Sequence, residues 1–76
     1  MQDSTQSVAT AIDATHERTG YRFYGMFADL DIRNLESCRS WLWANDSNGE
    51  WGDSDEFGAL TLEAAHEAIV RMIEDL

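Results

Sequence analysis

A chain of 76 residues with 15 acids, five arginines and no lysine carries a net charge of −10 and has room for one small domain, residues 1–76. A surface of that sign repels nucleic acid and anionic membranes and attracts basic protein surfaces, so direct contact with nucleic acid or lipid is the first function class excluded. The 43% hydrophobic content supports a core and argues against disorder of the whole chain, while the single cysteine, Cys38, excludes an internal disulfide and fits a reducing, cytoplasmic setting.

Met1 to Ser7 is polar and frays. Val8 to Thr19 reads two ways. As a helix, Val8, Ile12 and His16 fall at i, i+4 and i+8, with Gly20 as the C-terminal cap. As a strand, Val8, Thr10, Ile12 and Ala14 alternate, and Glu17-Arg18-Thr19-Gly20 forms a turn. The threonines at 10, 15 and 19 tilt the reading toward strand.

Tyr21 to Asp31 is the clearest strand by pattern. Tyr21, Phe23, Gly25 and Phe27 point one way, and Arg22, Tyr24, Met26 and Ala28 the other. Both faces are apolar enough for a central strand. Asp29 to Ser37 reads as a loop. Trp41-Leu42-Trp43-Ala44 then has the aromatic content of a strand, Asp46-Ser47-Asn48-Gly49 is a turn signal, and Glu50-Trp51-Gly52 returns antiparallel. The competing reading makes Asn34 to Ala44 a helix with Leu35, Cys38 and Leu42 on one face. The Trp-x-Trp alternation favours the hairpin.

Asp53 to Leu60 reads as an exposed acidic connection. Thr61 caps the last element, with Glu63 placed favourably at the positive helix start. Leu62, Ala65, Ile69, Met72, Ile73 and Leu76 make one apolar stripe at helical spacing, and Glu63, Glu67, Arg71 and Glu74 lie away from its centre. The elements together predict an α+β domain: an antiparallel sheet of three to four strands packed against a C-terminal helix over about residues 61–75.

No motif for chemistry stands out. Asp53-x-Asp55 followed by Gly58 begins like a calcium loop, but the fifth position is Phe57 and the twelfth is Ala64, where ligands are required. Cys38, His16 and His66 lack zinc spacing. Cys38 with either histidine is without an oxyanion motif, and Ser40 and Ser54 lack a nucleophile turn. His66 sits beside the helical stripe as a boundary residue. The expectation is therefore a non-enzyme without metal or cofactor. No apolar run approaches membrane-spanning length, and MQDSTQSV has neither the basic nor the apolar region of a signal peptide.

The charge is unevenly placed. Residues 1–45 hold six acids and four arginines, and residues 46–76 hold nine acids and one arginine. The candidate partner-binding residues are Asp46, Glu50, Asp53, Asp55, Glu56, Glu63 and Glu67, with Trp51 as an aromatic anchor, because Trp is enriched in binding hot spots. On these acids, with Glu74 and Asp75, and on its size and lack of lysine, the chain resembles the small acidic anti-CRISPR proteins of phages and mobile elements. The resemblance spans the whole chain and rests on composition, size and expected layout. It implies an inhibitor in the host bacterial cytoplasm whose carboxylates block a basic nucleic-acid-binding protein such as a CRISPR effector complex. The alternative from the residues alone is an accessory interaction domain, with a homodimer joined through an aromatic face or a strand edge.

Overall fold

A computed structural model describes residues 4–45 and 59–76. These residues form four helices: α1 (Ser4–Thr19), α2 (Tyr24–Phe27), α3 (Leu35–Ala44) and α4 (Leu62–Ile73). Among the described residues there is no strand. The expected α+β architecture with a three- to four-stranded sheet is therefore corrected to a helical one. α4 packs against both α1 and α3.

Helix α1 replaces the strand expected over Val8 to Thr19. Val8 and Thr15 are buried, with Ala11 and Ile12 partly buried between them, which is a helical stripe. Thr10 and Ala14, members of the supposed alternation, are exposed. Two of the three threonines that argued for a strand bond within the helix instead. Thr15 Oγ1 donates to the Ala11 carbonyl at 2.8 Å, and Thr19 Oγ1 to the Thr15 carbonyl at 2.7 Å. Back-bonding to the preceding turn satisfies the hydroxyl within the helix, at a small cost to helix stability that the buried stripe outweighs.

The helix stops at Gly20, which takes φ +62°. The Tyr21 N–H then reaches back to the His16 carbonyl at 2.8 Å, and the Gly20 N–H to the Glu17 carbonyl at 3.4 Å. These are the paired bonds of a Schellman cap. Tyr21 also has φ +62°, uncommon for a residue with a side chain. Its ring stacks on His16, with centroids 5.4 Å apart and planes 11° from parallel. That contact joins the two ends of the cap and offsets the backbone cost, which is of order 1–3 kcal/mol.

The strand expected over Tyr21 to Asp31 is a series of tight turns around α2. Met26 N–H donates to the Phe23 carbonyl at 3.0 Å, and Leu30 N–H to the Phe27 carbonyl at 3.1 Å. Phe27 is buried, and Phe23, Met26 and Leu30 are partly buried against the core. Their spacing, i, i+3, i+4 and i+7, is helical. The same run also alternates, so the period could be read either way.

Helix α3 replaces the tryptophan strand. Asn34 is its N-cap: the Ser37 N–H donates to Asn34 Oδ1 at 3.1 Å. Cys38, Trp41 and Leu42 face the core. Two residues on a helix point about 200° apart, so Trp41 is buried while Trp43 is 62% exposed. A strand would have put both on one face. Trp41 stacks on Phe27 at 5.6 Å and donates Nε1–H to the Met26 carbonyl at 2.8 Å, tying α3 to α2. The expected return strand around Trp51 lies outside the described residues.

Helix α4 lies where its stripe places it. The Ala64 N–H donates to the Thr61 N-cap hydroxyl at 3.1 Å. Ala65, His66, Ile69 and Ile73 are buried. Ile69 and Ile73 were expected to pack on a sheet; they pack in the helical core with Val8 and Leu42. At the far end, Arg18 of α1 donates Nη2–H to the Ile73 carbonyl at 3.0 Å and Nε–H to the Leu76 carbonyl at 3.4 Å. A cation is favoured at the negative end of α4, where the Ile73 carbonyl also accepts from the Leu76 N–H at 3.1 Å.

Candidate functional site

Of the residues expected to bind a partner, Asp46, Glu50, Trp51, Asp53, Asp55 and Glu56 lie outside the described residues, as does the calcium-like Asp53–Asp55 sequence. Glu63 and Glu67 are exposed, one turn apart on α4, with Glu74 exposed beyond them. The structure adds acids that the sequence did not single out. Asp13 and Glu17 are exposed one turn apart on α1, and Asp29 is exposed after α2. Among the described residues none of these acids forms an ion pair, whereas Glu36 is bonded by Arg39 at 3.1 Å. No group of three His, Cys, Asp or Glu side chains among the described residues converges to hold a metal.

Glu67 rims a groove of about 380 Å³ between α1 and α4, with Ser4, Ser7, His66, Val70 and Arg71 around it. The imidazole of His66 is buried and bridges two elements. Its Nε2 lies 2.5 Å from the Ile32 carbonyl, and its Nδ1 lies 2.8 Å from Ser4 Oγ. A carbonyl can only accept, so Nε2 carries the proton and Nδ1 accepts from the Ser4 hydroxyl. A serine bonded to a histidine resembles a nucleophile with its base. A catalytic base, however, must hold a positive charge when it takes the proton, and such histidines are backed by a carboxylate. Here a neutral carbonyl backs the ring. His66 instead ties the start of α1, the segment before α3 and the first turns of α4 together; expected as a boundary residue, it is fully buried.

Cys38 is fully buried, and its thiol points toward the Asp31 carbonyl at 3.7 Å. Burial pushes the thiol above its ordinary value of 9.0, and the neighbouring Asp31 charge adds to the rise. The nucleophile is the thiolate, so this is an inert thiol. A folded-state value above the unfolded one gives stability that is complete at lower pH and is lost as pH climbs through the folded value. Unfolding free energy should therefore fall as pH passes about 9, with at most about 1.4 kcal/mol per pH unit from this group. Urea unfolding of the wild type and Cys38→Ala across that range checks it: the difference between the two should shrink as pH rises.

A second groove, about 290 Å³, opens between α1 and the α2 turn, lined by Ile12, Asp13, His16, Tyr24, Phe27 and Leu30 among others. Three rings surround the His16 imidazole. Tyr21 stacks on it, Tyr24 lies tilted at 5.3 Å, and Phe27 meets it edge-on at 5.4 Å. His16 is only 8% exposed, and its Nδ1 has no hydrogen-bond partner. A buried polar atom without a partner costs about 1–3 kcal/mol, so it calls for an explanation. Tyr21 and Tyr24 are 60% and 61% exposed beside it. The sequence reading missed this cluster because it put Tyr21 and Phe27 on one strand face and Tyr24 on the other. The signal was present: Tyr21, Tyr24 and Phe27 recur every three residues, the period of a tight helical turn.

No protein-family model matches the chain, and no curated protein or solved structure shows significant similarity to it.

Proposed function

We propose that the protein is a non-enzymatic inhibitor whose acidic surface occupies the basic face of a nucleic-acid-binding protein. The observation that carries this is the outward set of acids without ion pairs among the described residues: Asp13, Glu17, Asp29, Glu63, Glu67, Glu74 and Asp75. They belong to a chain of net charge −10. Crowded carboxylates repel one another, and a basic partner relieves that repulsion. Carboxylates also take the same charge-assisted bonds from Arg and Lys that phosphates take. Asp46, Glu50, Asp53, Asp55 and Glu56, with Trp51 as an aromatic anchor, belong to the same proposed partner-binding set. The buried, inert Cys38 thiol suits action in a reducing cytoplasm. No helix among the described residues is long and apolar enough to cross a membrane.

The resemblance to anti-CRISPR proteins makes a CRISPR effector complex the first target to test. The measurement is competition between this protein and duplex DNA for that target at two salt concentrations. Competition should weaken as salt rises, and a variant with Glu63, Glu67, Asp53, Asp55 and Glu56 changed to their amides should lose it mainly through a slower on-rate. Simultaneous binding of DNA and protein rules out mimicry for that target. A second reading draws on the exposed Tyr21, Tyr24 and Trp43: these side chains suit a homodimer joined by aromatic contact. A stable dimer in sedimentation, with those rings shielded from quenchers, would favour it.

A further inference from the structure

The groove between α1 and the α2 turn combines features that the acidic surface alone does not explain. Its polar groups are the Asp13 carboxylate, the Tyr24 ring and the His16 imidazole, and neither lysine nor arginine lines it. Asp13 is exposed, so its carboxylate keeps its hydration until a partner arrives. His16 is more than nine-tenths buried and has a ring nitrogen without a partner. The Asp13 carboxylate and the face of the Tyr24 ring favour a donor or a cation. The space, about 290 Å³, is at the lower edge of the roughly 300–1,000 Å³ that holds drug-sized ligands. That suits a single side chain better than a cofactor.

We infer that this groove is an anchor pocket for one arginine side chain of a basic protein partner, held by Asp13 and Tyr24 beside the His16 ring. The inference rests on the proposed basic partner and adds the place where that partner is gripped. The apolar stem of the arginine lies along Ile12 and Leu30. Its guanidinium, flat and carrying only donors, lies over the exposed Tyr24 ring and donates to the Asp13 carboxylate. Lysine fits less well, because an ammonium is a strongly hydrated point charge and cannot stack as a plane. Tyr21 holds the imidazole in place by stacking on it, and Phe27 closes the inner edge.

The test is an NMR titration of the intact protein with N-acetyl-arginine methylamide, its lysine counterpart and its neutral citrulline counterpart, at constant ionic strength. Expected are saturating shifts centred on the His16 and Tyr24 ring signals with the arginine probe, a weaker response to lysine and none to citrulline. Asp13→Asn and Tyr24→Leu should each weaken the arginine response roughly five- to tenfold. Both residues are exposed, so the variants should stay folded, and their amide spectra verify it. Equal responses to arginine and citrulline would overturn the inference. So would shifts spread evenly over Glu63, Glu67 and the groove. If the whole protein blocks DNA but both variants block it as well as the wild type, the groove is not the anchor, and the acidic-inhibitor reading stands. If the arginine probe saturates the groove but the protein never competes with DNA, the pocket stands and mimicry falls.

Discussion

Replacing Ile69 by alanine should lower the unfolding free energy by roughly 2–5 kcal/mol, read as a fall in the urea midpoint with little change in slope. Ile69 has no exposed surface, and it sits on α4, the helix that packs against both α1 and α3. Removing three carbons there opens a space that neither neighbour can fill without losing its own contacts. For a domain of 76 residues, total stability is roughly 4–11 kcal/mol, so the loss would consume a large share of it. A change of only a few tenths would show that α4 is not the centre of the core.

Trp41→Ala should cost about 3–5 kcal/mol, read as a fall in the urea midpoint. The indole does two separate things. It covers Phe27 with a stacked ring at 5.6 Å, and it donates Nε1–H to the Met26 carbonyl at 2.8 Å. Trp41→Phe keeps most of the stacking and removes the donor, leaving the Met26 carbonyl without its partner. It should cost less, about 1–3 kcal/mol. The gap between the two variants separates packing from hydrogen bonding. Because α2 is a single short turn, Trp41 is also what holds it in place. Loss of the indole should therefore disturb the His16 groove, visible as sharper, shifted Tyr24 ring signals in the variant that remains folded. Equal unfolding curves for wild type and Trp41→Phe would show that the hydrogen bond contributes nothing net.

For the candidate site, the sequence located Glu63 and Glu67 on the outer side of a helix, because their spacing relative to Ile69 and Ile73 leaves no other face for them. It did not locate the His16 groove. Asp13 and His16 lie on α1 while Tyr24 and Leu30 follow the turn, and their meeting depends on where the chain turns after Thr19. That turn needs Gly20 and Tyr21 both at φ +62°, a pair of left-handed residues that no propensity assigns to a tyrosine. Sequence alone does not distinguish a buried histidine bonded at both nitrogens, as His66 is, from one with a nitrogen left without a partner, as Nδ1 of His16 is.

The sequence by itself determined the net charge of −10, the absence of a disulfide, and the helix from Leu62 to Ile73 with its Thr61 cap, for one physical reason: twelve residues give three turns, enough for a 3.6-residue period to stand out. Only the tertiary structure decided the rest. Tyr21 to Leu30 and Trp41 to Trp43 are too short for a period of two and a period of 3.6 to be told apart, so the alternation that favoured strands there misled. The balance was tipped by long-range contacts: the Trp41 indole on Phe27 and the Met26 carbonyl, and the Arg18 guanidinium on the end of α4. Each joins residues distant in sequence, and each exists only once the helices are packed.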